Sequence, residues 1–147
     1  MNATALVSLP AAHERLARAW FDEWEPDEPQ WGWASDWLFE RVWDAPQEAW
    51  PLIVALVEYA PSTDLLACVA AGPLEDLLCL HGPQFIEQVE AQARRSKRFR
   101  RCLVGVWGWS RMDPAVYARL LRARKQRRPW RYGQVSGGPR DGGRRKA

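Results

Sequence analysis

Apolar residues return every three or four positions along much of this chain, and helix-breaking residues divide that pattern into short lengths. Leu9, Ala12, Leu16, Ala19, Trp20 and Trp24 share one helical face, which predicts a first helix over 10–24 that Pro26 and Pro29 end. Ser35 and Asp36 open a short helix carrying Trp37, Leu38 and Val42. Asp44-Ala45-Pro46 supplies an N-cap and an early proline for the next, over about 46–60, with Leu52, Ile53, Leu56, Val57 and Tyr59. Pro51 predicts a kink or a restart inside it, because it lacks the amide for one ladder bond. Pro61-Ser62 then breaks and caps, Gly72 stands where a left-handed terminal residue is wanted, and Pro73 fits the following first turn. His81-Gly82-Pro83 repeats that stop and start, giving expected helices over 63–71, 74–81 and 84–95. Phe99, Leu103, Val104 and Trp107 continue as another, and Asp113-Pro114 caps a last one with Val116, Tyr117, Leu120 and Leu121 on its apolar side. No stretch alternates with period two. The expectation is an all-α protein, a compact irregular bundle or short array of antiparallel helices.

Composition adds a boundary. After Pro129 the chain turns to Gly, Arg and Ser, so residues 1–130 read as one helical domain and 131–147 as a disordered, basic Gly/Arg-rich tail. The 147 residues suit one core, and the ten Trp residues supply large rings for it. Trp31 and Trp33, set between Pro29 and Ser35, are the candidates for exposed interaction anchors. Cys68, Cys79 and Cys102 are too scattered for a disulfide framework, and Cys79 with His81 is too little for a metal, so no metal or cofactor is expected. The first residues lack the basic start and apolar run of a signal peptide, and no segment approaches 18 uninterrupted apolar residues. These features lead to a cytoplasmic protein without a membrane partner.

Charge is sorted along the chain. Residues 1–93 hold 16 Asp and Glu against three Lys and Arg, while 94–147 hold two against 18. Such asymmetry bears on partners and encounter rather than fold. The basic residues form two groups. Arg94, Arg95, Lys97, Arg98, Arg100 and Arg101 surround Phe99; Arg119, Arg122, Arg124, Lys125, Arg127 and Arg128 lead to Trp130, Arg131 and Tyr132. Arginines interleaved with aromatics can hold phosphates and stack on unpaired bases, so Arg124, Lys125, Arg127, Arg128, Trp130, Arg131 and Tyr132 are candidate nucleic-acid contacts. They can equally bind the acidic half of this chain or an acidic protein.

Glu75, Asp76 and His81 are the one compact trio that resembles acid–base machinery. Helix-end chemistry explains them locally: two carboxylates in the first turn after Pro73, and a donor before Gly82. A pairing of Glu75 or Asp76 with an arginine of the 94–101 cluster would fix helix packing instead.

The segments Ala49-Trp50, Leu52-Ile53, Ala60-Pro61, the run Ala70-Ala71-Gly72-Pro73-Leu74-Glu75-Asp76-Leu77-Leu78, His81-Gly82 and Gly105-Val106-Trp107 resemble a bacterial family known as domain of unknown function 6869, over about residues 35–112. The resemblance implies a small helical bacterial protein and no established activity. Two functional classes follow: a non-enzymatic protein-interaction module using a Trp-lined acidic surface, and, as the alternative, a nucleic-acid-binding accessory protein using its basic C-terminus. Neither the identity of a partner nor the oligomeric state is written in the sequence.

Overall fold

The computed structural model describes residues 11–25 and 27–125, and every described element is helical. In chain order these are α1 (Ala11–Glu23), α2 (Trp33–Asp44), α3 (Pro46–Tyr59), α4 (Thr63–Val69), a π turn (Ala70–Leu74), α5 (Glu75–Arg95), α6 (Lys97–Val104) and α7 (Pro114–Ala123). The all-α expectation is met. The expected tail over 131–147 lies outside the described residues.

Helix α3 is the spine of the core. Ala49, Leu52, Ile53, Leu56 and Val57 are completely buried, because apolar residues occupy most of its circumference and leave only the side of Gln47, Glu48 and Pro51 to solvent. Around it pack α1, α2, α4 and α6, while α5 lies against α2, α6 and α7. The helical run Thr63–Arg95 is long and apolar enough by composition to cross a bilayer. Its Leu65, Val69, Leu74, Leu77, Leu78, Phe85 and Val89 are instead buried in the core.

Several boundaries depart from the sequence pattern, and the prolines explain most of them. Pro51 neither restarts nor breaks α3: it is exposed, so the helix accepts the loss of one ladder bond on its solvent side. Gly72 does not end a helix. Pro73 lacks the amide that the Val69 carbonyl would use, and the π register passes that carbonyl on to the next amide, so the chain runs on into α5. At His81 the backbone leaves helical geometry (φ −134°, ψ 23°), which makes the predicted stop and start a kink inside one element. Ser35 and Asp36 do not open α2, which begins at Trp33 after Gly32, and Asp44 ends α2 rather than capping α3, whose N-cap is Ala45. Trp107 lies beyond the end of α6.

The caps at Ser62 and Asp113 are as expected: Ser62 Oγ accepts from the Leu65 amide at 3.1 Å, and Asp113 accepts from Ala115 and Val116. Ser96 adds a cap that the sequence reading passed over, accepting from Phe99 at 3.0 Å.

The tryptophans correct the expectation of a Trp-filled core. Among the described residues only Trp20 is a buried tryptophan; Trp24, Trp37 and Trp50 are half-buried, and Trp31, Trp33, Trp43, Trp107 and Trp109 stand more than half exposed. Phe21, Phe85 and Phe99, with Leu, Ile, Val and Ala residues, fill the interior instead.

Candidate functional site

The rings around the join of α1 and α2 are organised, from a buried end to an exposed one. From the α1 side to the end of α2, Trp20, Trp24, Trp31, Phe39 and Trp43 form a continuous row, with consecutive centroids 5.8, 6.2, 5.9 and 6.0 Å apart. Tilted and edge-on pairs at these distances are the favourable arrangements for aromatic rings. Local sequence accounts for the row. Phe39 and Trp43 are four apart on α2; Trp24, the first residue past α1, still donates its amide to the Trp20 carbonyl at 3.2 Å, so each pair shares a helical face.

The join between the two helices is pinned by Glu23. Its carboxylate accepts from the Ala34 amide (2.8 Å), the Ser35 amide (2.8 Å) and Ser35 Oγ (2.5 Å), capping α2 from the end of α1. Ser35 Oγ in turn accepts from Trp24 Nε1 at 3.0 Å, which satisfies a buried hydroxyl and orients the indole. A β-carbon at Gly32 would stand 2.5 Å from the Glu23 carboxylate, so any larger residue there would push that carboxylate off its donors. Trp31 Nε1 donates to Asp36 at 2.5 Å.

Beside the row is a cavity of about 250 Å³. Trp20, Trp24, Trp31 and Phe39 supply one wall, the π turn at Ala71–Pro73 supplies another, and Asp76 contributes a carboxyl. Burial raises that carboxyl's pKa, the Arg111 charge lowers it in part, and Glu75 raises it further. An acidic groove lined by Asp22, Glu25, Asp27 and Glu28 adjoins it and shares Trp31.

Trp31 and Trp33 both border that groove, yet only Trp31 belongs to the row and the cavity. Trp33 is paired with Arg15, whose guanidinium carbon lies 5.6 Å from its ring centroid. Glu75, Asp76 and His81 do not converge. Glu75 accepts from the Trp107 amide at 3.0 Å and from Arg111 at 2.8 Å, Asp76 lies 3.8 Å from Arg111, and His81 Nε2 donates to the Val42 carbonyl at 2.8 Å. The reading of Glu75 and Asp76 as helix N-terminal charges is therefore corrected: the π turn supplies a partner for the Glu75 amide, so no free helix end exists there. Their cation is Arg111, not one of the 94–101 cluster.

That cluster has a different use. Arg98 donates to the Val57 carbonyl at 2.8 Å and to Ala60, and Arg100 donates to Ala93 at 2.5 Å, so both close helix C-termini. Val57 needs such a donor because the residue four positions on is Pro61; Val42 needs His81 because four positions on is Pro46. A carbonyl followed at four residues by proline was the signal in the sequence for both contacts.

Of the candidate nucleic-acid residues, Arg124 is the C-cap of α7 and Lys125 is exposed just beyond it; Arg127, Arg128, Trp130, Arg131 and Tyr132 lie outside the described residues. A second aromatic surface escaped the sequence reading. Trp107 and Trp109, 73% and 64% exposed, stand on the loop that Glu75 holds, and Trp107 shares a groove with Arg98, Arg101 and Val104. Cys102 is buried and pushed up to about 12 by that burial, which leaves it a poor nucleophile.

A family model described as a family of unknown function, DUF6869, matches residues 22–128. The chain belongs to this family, and the match extends on both sides of the stretch that carried the resemblance. No curated protein and no solved structure matches it.

Proposed function

We propose that this family member is a non-enzymatic protein-interaction module that docks a basic polypeptide segment on the aromatic row of α1 and α2. The observation carrying this reading is the row itself: Trp31, Phe39 and Trp43 keep 57%, 45% and 52% of their surface exposed while held in mutual contact. Contiguous apolar surface of this kind marks interaction sites, and aromatic side chains dominate the energetics of such patches. Acidic residues flank it, with Asp36, Glu40 and Asp44 on α2 and the acidic groove alongside, which favours a basic partner. The polar groups that resembled catalytic machinery support the same reading, because Glu75 and His81 are engaged in holding a loop and a helix end. Three free thiols suit a reducing, cytoplasmic setting.

The test is retention of polypeptides from nuclease-treated lysate by the intact protein and by Phe39→Ser/Trp43→Ser. A retained polypeptide that is lost with the double variant and released by salt supports the reading. Identical retention by the double variant removes it.

A second reading is favoured by one observation, the exposed Trp107 beside Arg101. An aromatic platform next to a cation suits a base stacked beside its phosphate, and Trp107→Ala should weaken binding to a short single-stranded RNA by about 1–3 kcal/mol. Equal affinity of the variant in fluorescence anisotropy would dismiss this reading.

A further inference from the structure

We infer that the cavity beside the aromatic row is a receptor for a lysine side chain, its ammonium facing Asp76 and its methylenes lying against the surrounding rings. The inference rests on the docking of a basic segment proposed above and names what that segment places in the pocket.

The lining has two chemistries. Aromatic rings form most of one wall, and ring faces attract a cation as well as bury hydrocarbon. Leu38, Val42 and Pro73 continue the apolar lining, so a bare ammonium would leave that hydrocarbon without a partner while a four-carbon stem would lie against it.

Asp76 supplies the opposite charge. It shares Arg111 with Glu75, and the sharing is unequal: Arg111 lies 2.8 Å from Glu75 but 3.8 Å from Asp76, and it remains 57% exposed. Two carboxylates around one guanidinium leave an excess negative charge, on the residue that lines the pocket. The neighbouring groove, with five more carboxylates, raises the local concentration of cations at the entrance. A neutral apolar side chain would use the rings and leave a partly buried carboxylate uncompensated.

The experiment uses Nα-acetyl-lysine methylamide and its neutral isostere, Nα-acetyl-norleucine methylamide, titrated into the full chain while the indole N–H resonances of Trp24 and Trp31 are followed. The lysine probe should shift both resonances and bind about fivefold more tightly than the norleucine probe, the scale of one cation–π or ion-pair contact. With Asp76→Asn the preference should shrink to less than about twofold. Equal binding of the two probes to the wild-type protein overturns the inference while leaving an apolar docking pocket, as would a lysine preference undiminished in Asp76→Asn. No shift with either probe also overturns it, and the Phe39→Ser/Trp43→Ser result then decides separately whether the aromatic row docks a partner at all. The comparison of probes on the wild-type protein does not depend on how the variant folds.

Discussion

Arg98 stands where the end of α3 lacks a donor, and its guanidinium reaches two carbonyls 41 and 38 residues back in the chain. Replacing it with Ala leaves those carbonyls unpaired at a half-buried site, so unfolding in urea should show a loss of about 1–3 kcal/mol. Lysine should recover only part, having no fork to span both acceptors; full stability of Arg98→Ala would contradict the capping role. Asp76 makes the opposite case. Burial, opposed by Arg111 and aided by Glu75, raises its pKa above the ordinary 3.8, so its carboxyl favours the fold when protonated. That contribution is complete below pH 3.8 and is lost as pH rises through the folded value. Asp76→Asn should therefore be more stable than wild type at pH 7, by under about 1 kcal/mol at a site one-third exposed. The difference should close as the pH is lowered toward 3; a variant less stable at neutral pH would show that the Arg111 attraction outweighs burial. Neither role was legible from residue type alone. Arginines read as a basic patch, and the information that Arg98 is a cap lies in Pro61, far upstream.

At the scale of elements, the sequence announced where the chain would turn better than how. Apolar periodicity located every described helix, because burial of one face is a strong and local requirement. The Gly-Pro corners were misjudged, since the same dipeptide can stop a helix or be absorbed in a π turn, and packing decides between them. Two glycines separate the cases. At Gly72 an added β-carbon would meet nothing within 4 Å, so Gly72→Ala should stabilise the protein by about 0.5–1 kcal/mol. At Gly108 it would stand 2.6 Å from Cys79 Sγ and 3.0 Å from Glu75 Cγ, forcing the Trp107–Trp109 loop off its anchor. Thermal unfolding should rank Gly72→Ala above wild type and Gly108→Ala below it, and the reverse order would refute the packing described at both glycines.

Across the whole molecule, the aromatic row and the acidic groove occupy the face made by α1 and α2. The excess of tryptophan and the acidic first half were both plain in the sequence; that the rings would line up on the outside was not, because periodicity marks a face without saying whether it is covered. Surface replacement of Phe39 and Trp43 by Ser should leave stability within about 0.5 kcal/mol, since neither ring contributes to the buried core. A larger loss in a denaturant titration would mean that the row supports the fold and is no docking surface.

The prolines at 46 and 61 have a consequence for the order in which the chain acquires structure. Each deprives a helix end of its own donor, and the replacement, His81 or Arg98, is about 40 residues further along. A nascent chain that has emerged only as far as residue 80 holds α2 and α3 with their final carbonyls still turned to water. Those last turns fray until the later segment arrives, so helix completion waits on long-range closure, which is entropically slow. A chain ending at residue 80 should therefore show the last turns of α2 and α3 exchanging their amide protons faster than the full chain does.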